Sequence, residues 1–289
     1  MAFDLLIINL LTVGLLGILC GSIYTWGQVL FRWLKGYEIL EKTFASDRLP
    51  IPHLAVALAS GWVTLNIATQ FLVVLSPDST QTVFDPNRVL AGAQMQNILS
   101  LIVGLAIWGA LTISVQDQSD LTLLGFRRNG ELTQLVDGLR GFLAAIVPVY
   151  LVMLLTLPLR SEETTHPLLR LLDARGIGNE FVVVAVAAAV IAPLLEELVF
   201  RVILQSALVN SCGLRGGLIV TAIIFAGVHG FPDMVALFPL ALLLGIVYHW
   251  RRSYLTVVVM HALFNGLNLM LVLFQRYAAD VLEDQMWMQ

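Results

Sequence analysis

Ala192-Pro-Leu-Leu-Glu196-Glu197-Leu-Val-Phe-Arg201 sets two adjacent carboxylates and a guanidinium inside a long apolar run. Apolar residues precede it from Phe181 to Ile191 and resume in Val202-Ile-Leu-Gln-Ser-Ala-Leu-Val209. One helix is therefore expected to carry the charges and to continue past Arg201. Ionisable groups at membrane depth cost at least ~2.5 kcal/mol each on insertion scales, so either a partner or a function must account for them. Glu197 and Arg201 stand four residues apart with the acid first, the favourable order for a pair on one helical face. Glu196 is rotated from Glu197 by about 100° and has no local cation. It is the carboxylate left for chemistry.

The composition extends this reading to the whole chain. Of 289 residues, 58% are hydrophobic and 12% charged, with a mean hydropathy of +0.85, outside the balance of a soluble domain. The expected fold is all-α, a polytopic transmembrane helix bundle of about eight spans. At roughly 20 residues per crossing, the spans fall near 5–31, 53–75, 97–115, 139–157, 181–209, 216–230, 234–250 and 254–274. The sixth and seventh are short and joined by Gly230-Phe-Pro232-Asp, so a broken hairpin packed within protein is the alternative. The start lacks a basic n-region and its apolar stretch is too long for a cleaved signal, so it is expected to be a retained span. Cys20 and Cys212 are far apart in apolar surroundings, which argues against a disulfide or thiolate site. No basic tract suggests nucleic acid, and the net charge of -4 adds no other partner than the lipid bilayer.

Basic residues give the orientation. One side receives Arg32, Lys35, Lys42, Arg48, Arg127, Arg128, Arg140, Arg215, Arg251 and Arg252; the other receives Arg88, Arg160, Arg170, Arg175 and Arg276. The first side is expected to be cytoplasmic, although three arginines between 158 and 180 count against it. Residues 166–175 have apolar and basic residues at helical spacing and read as an interfacial helix. His53 and His249 read as interface anchors.

Three more polar groups lie inside the apolar second half: His229, His261 and Asn265. Phe225 and His229 are four apart, as are His261 and Asn265, so each pair projects from one helical face. At ~1.5 Å per residue, Glu196 and His229 each lie about 20 Å from one membrane side, provided that the charged helix runs on to Val209. A carboxylate beside an imidazole can deprotonate a water, while a second His and an Asn amide can donate to an oxyanion. That set suits peptide-bond hydrolysis. Glu196, His229 and His261 are also acceptable zinc ligands, which leaves a divalent metal open. The competing reading is a non-catalytic transporter or an immunity-type binding protein using the same polar cavity.

At these residues the chain resembles the CPBP family of intramembrane proteases, which includes type II CAAX prenyl endopeptidases and relatives linked to bacteriocin processing or immunity. The family pattern EExxxR, FxxxH and HxxxN or HxxxD is matched by Glu196-Glu197-Leu-Val-Phe-Arg201, Phe225-Ala-Gly-Val-His229 and His261-Ala-Leu-Phe-Asn265. The resemblance implies that Glu196 activates water with His229 as partner and that His261 and Asn265 stabilise the oxyanion. Glu197 and Arg201 would then orient the site. It implies a membrane-associated peptide or protein substrate and leaves open whether that substrate is prenylated, and mechanisms with and without metal are both described for the family. Residues 1–160 are then N-terminal scaffold helices and 180–275 a CPBP-like catalytic core, in a cell-membrane protein whose site opens to the cytoplasmic side.

Overall fold

The computed structural model describes residues 2–39, 49–75, 85–115, 118–127, 130–160 and 179–287. All regular structure among them is helical: α1 (Ala2–Leu34), α2 (His53–Leu75), α3 (Pro86–Ser114), α4 (Gln118–Leu123) and α5 (Glu131–Leu155). There follow α6 (Asn179–Val186), a π-helical stretch Ala187–Ile191, α7 (Ala192–Glu197), a second π-helical stretch Leu198–Gln205 and α8 (Ser206–Gly227). The last two are α9 (Asp233–Arg251) and α10 (Tyr254–Trp287). The eight expected segments all form helices. Among the described residues, five windows are long and apolar enough to cross a membrane: Leu6–Leu34, Leu90–Ser114, Glu131–Leu155, Asp233–Arg251 and Tyr254–Ala279. This is an integral membrane helix bundle. The expected interfacial helix at 166–175 lies outside the described residues.

Two helices begin earlier than hydropathy suggests, for local reasons. Asp85 accepts from the Asn87 amide as N-cap with Pro86 in the first turn, so α3 starts ahead of its apolar window. α5 starts at Glu131 after the left-handed Gly130. Within α5, Pro148 has no N–H to give the Ala144 carbonyl. The Trp26 indole of α1 donates to that carbonyl instead, at 3.0 Å, and Ser22 Oγ accepts from the Val147 amide. These contacts run α1 antiparallel to α5.

The helix from Asn179 keeps right-handed helical dihedrals at every junction through Ser206, so Arg201 does not end it. It ends at Gly213, with φ 76 and ψ 173. There the chain folds back so closely that a Cβ on Gly217 would lie 2.7 Å from the Val209 backbone nitrogen. Val209 and Gly217 are each four residues from Gly213, and Arg201 and Phe225 are each twelve away. The Arg201 Cζ sits 4.8 Å over the Phe225 ring, so the two arms stay in register. The first arm is the centre of the bundle, and every residue of Leu198–Gln205 is buried. Trp62 of α2, Ile107 and Leu111 of α3, Phe142 and Ile146 of α5, Leu244 of α9 and Phe264 of α10 belong to the surrounding core.

Basic residues lie at both ends of the bundle. Arg251 at the end of α9 binds Asp137 near the start of α5 through Nε at 2.7 Å, next to Arg140. Arg32 ends α1 on the same side. At the other end Arg160 pairs with Asp233 at 2.7 Å, and Tyr277 donates to Asp4. Cys20 and Cys212 are free and exposed.

α5 and α10 pack closely because small residues let their backbones approach. A Cβ on Gly138 would lie 2.8 Å from Val259 Cγ1 and 2.9 Å from the Thr256 carbonyl, whereas one on Gly141 would meet Met260 Sδ at 2.6 Å. A methionine end can move; a backbone carbonyl and a branched carbon cannot. Gly138→Ala should therefore lower the thermal midpoint in detergent, with an overpacking cost of ~1–3 kcal/mol. Gly141→Ala should shift it much less.

Candidate active site

The two acids are held by different means although they are neighbours in sequence. Glu197 is fully buried, and its Oε2 accepts from Arg201 Nε at 2.9 Å. Its Oε1 accepts from His261 Nδ1 at 2.8 Å. One carboxylate thus joins the central rod, the helical run from Asn179 to Gly213, to α10. Arg201 is also fully buried, with its remaining charge over the Phe225 ring, a cation–π contact that gains strength away from water.

Glu196 makes none of these bonds. Its Oε2 faces His261 Nε2 at 3.8 Å, beyond hydrogen-bond distance, and has no hydrogen-bond partner. The Glu196 side chain keeps 18% of its exposure while Glu197 keeps 0%, which decides which acid a substrate could reach. His261 is fixed by Glu197 through one nitrogen and presents the other to Glu196.

His229 lies just past the end of α8. Its Nδ1 is 2.8 Å from the Phe225 carbonyl, which can only accept, so the neutral ring carries its proton on Nδ1 and leaves Nε2 as an acceptor. The Phe225 ring touches both imidazoles, with centroids 4.9 Å from His229 and 5.6 Å from His261. The hairpin register about Gly213 continues to this level: Glu197 is sixteen residues before it and His229 sixteen after. Four of the expected groups, Glu196, Glu197, Arg201 and His261, form one connected cluster, and Phe225 joins His229 to it.

Asn265 lies one turn along α10 from His261, and its Nδ2 donates to the Ala188 carbonyl at 2.9 Å. As for a metal, Glu196, His229 and His261 were the candidate ligands. No group of three or more His, Cys, Asp or Glu among the described residues is spaced to hold an ion. The donor set does not converge on a common point, so a metalloprotease assignment finds no support in the site.

Residues 178–267 match the family model of the type II CAAX prenyl endopeptidase Rce1-like proteins. This segment is similar to that family over 90 of the chain's 289 residues. No curated protein and no solved structure matches the chain. The Rce1-like segment covers the central rod, α8, α9 and α10 as far as Leu267, and so contains every residue of the cluster. The likeness is to proteases of the CAAX intramembrane type, a class that acts on peptide or protein substrates in a membrane.

Two side chains that sequence reasoning left aside bear on this segment. Gln70 of α2, read as scaffold, donates through Nε2 to the carbonyl of Val228, next to His229. Tyr254 donates through its hydroxyl to the Leu194 carbonyl at 2.6 Å, two residues before Glu196. A glutamine inside an apolar span was the available signal for the first; for the second there was none.

The unequal bonding of the two acids gives a stability test. Removing one partner of a buried ion pair costs ~3–5 kcal/mol because the other charge is stranded. Glu197→Ala strands Arg201 and releases His261, so it should strongly lower the detergent-phase thermal midpoint. Glu196→Ala, which breaks no hydrogen bond, should leave it near the wild-type value.

Proposed function

We propose that the chain is an endopeptidase that hydrolyses a peptide bond of a membrane-associated protein or peptide, with Glu196 as the general base. The observation that carries this reading is the contrast between the acids: Glu197 is consumed by Arg201 and His261, while Glu196 is partly open, unpaired and opposite an imidazole nitrogen. A carboxylate held in that way is suited to take a proton from a water molecule.

In the proposed reaction a water lies between Glu196 and His229 Nε2. Glu196 takes one of its protons as the oxygen bonds to the scissile carbonyl carbon, and His229 accepts a hydrogen bond from the other. The carbonyl oxygen becomes an oxyanion, which accepts from His261 Nε2–H when that ring is protonated, a donor preset by the Nδ1 bond to Glu197. Collapse breaks the C–N bond, and the proton held by Glu196 passes to the leaving amine. Arg201 and Glu197 hold His261 in place and do not touch the substrate. The residues outside 180–275 serve as the scaffold of this core.

The basic end of the bundle, with Arg127, Arg140, Arg251 and Arg252, faces the cytoplasm by the charge bias of membrane insertion. In this orientation the site lies within the cell membrane and is reached from the cytoplasmic side. The family name suggests a substrate near the carboxyl end of a prenylated protein, and a lipidated peptide is therefore the first probe.

Purified chain in proteoliposomes should cleave a membrane-associated peptide, and Glu196→Gln should reduce turnover by at least the ~10²-fold typical of losing a general base, with the fold retained. Because the donors do not converge, chelators should leave cleavage intact. Undiminished turnover in Glu196→Gln would overturn the assignment. Solute flux in proteoliposomes without any cleavage would favour the transporter.

A further inference from the structure

We infer that Asn265 acts through the backbone of the Glu196 helix, supplying the donor that Pro193 lacks. In the π-helical stretch Ala187–Ile191 the amide of Ala192 donates to Ala187, five residues back. The next acceptor in that register is the Ala188 carbonyl, and its donor would be residue 193. Pro193 has no N–H. The carbonyl left over sits on a helix packed inside the bundle, where an unbonded acceptor costs free energy. Asn265 Nδ2 meets this carbonyl at 2.9 Å.

The pairing has a consequence for the acid. Glu196 is three residues beyond Pro193, and its direction depends on whether the turn before it closes over four residues or five. With an α-helical turn, the carbonyl orphaned by Pro193 would be that of Ala189, which lies about 100° around the helix from Ala188. The Asn265 amide supports the wider turn, whose register the Ala192 amide already sets, by bonding the carbonyl that this turn leaves without a main-chain donor. His261 and Asn265 thus serve the rod from one face of α10: His261 through the Glu197 side chain, Asn265 through the main chain. Asn265 is a positioning residue for Glu196 and does not touch the reacting atoms.

A double-mutant cycle on the full chain tests this. Asn265→Ala should lower the thermal midpoint in detergent and reduce cleavage of the lipidated peptide. Pro193→Ala provides an amide at residue 193, so in the Pro193→Ala/Asn265→Ala variant most of the lost midpoint and most of the lost kcat should return. Losses that simply add across the two substitutions would overturn the inference. Recovery of the midpoint without recovery of kcat would overturn it as well, since Asn265 would then act on the substrate directly. The kcat comparison rests on the endopeptidase reading; if the wild-type chain cleaves nothing, that reading fails and the midpoints alone decide the pairing.

Discussion

The carboxylate of Glu197 is the interaction on which the site depends. One oxygen is bonded to a cation on its own helix and the other to an imidazole on a distant one. In water such contacts would be worth little, but in a buried setting each charge must be matched or the protein bears its full desolvation cost. Glu197 therefore sets the geometry of both partners at once. It fixes which nitrogen of His261 is free, and it uses up the local cation that could otherwise have neutralised Glu196.

Helix geometry adds a second constraint. Two π-helical stretches flank the six residues that carry both acids. A turn with an extra residue exposes a carbonyl that a regular helix would have bonded, which is why such turns recur at functional sites. Here Asn265 reaches the exposed carbonyl of the first stretch, and Tyr254 reaches Leu194 just before the second. Both come from α10, the helix that also brings His261. The acid–imidazole cluster and the main-chain irregularity are thus stabilised by one and the same neighbour, so displacement of α10 would disturb both together.

Local features of the sequence were the legible ones. The Glu197 and Arg201 pair could be read because both partners lie on one helix four residues apart, where geometry alone brings them together. The continuation of the helix past Arg201 followed from the apolar run to Val209. The start of α3 was legible in Asp85-Pro86, a capping signal that a hydropathy window overlooks. The change from four-residue to five-residue turns left no trace, since apolar residues line every face of this helix and give no period to count. Contacts that join distant segments, such as Gln70 with Val228 or Asn265 with Ala188, depend on which helices become neighbours. For these, polarity at depth marked one partner and nothing named the other.

The single glycine at residue 213 has a consequence for how this protein can change. Because the two arms leave it in step, whatever is held level across them stays level only while both keep the same length. One residue added to either arm alone would slide its side chains by ~1.5 Å and turn them by about 100°. Insertions and deletions between the acids and the imidazole of His229 would therefore be tolerated only as compensating pairs, one in each arm.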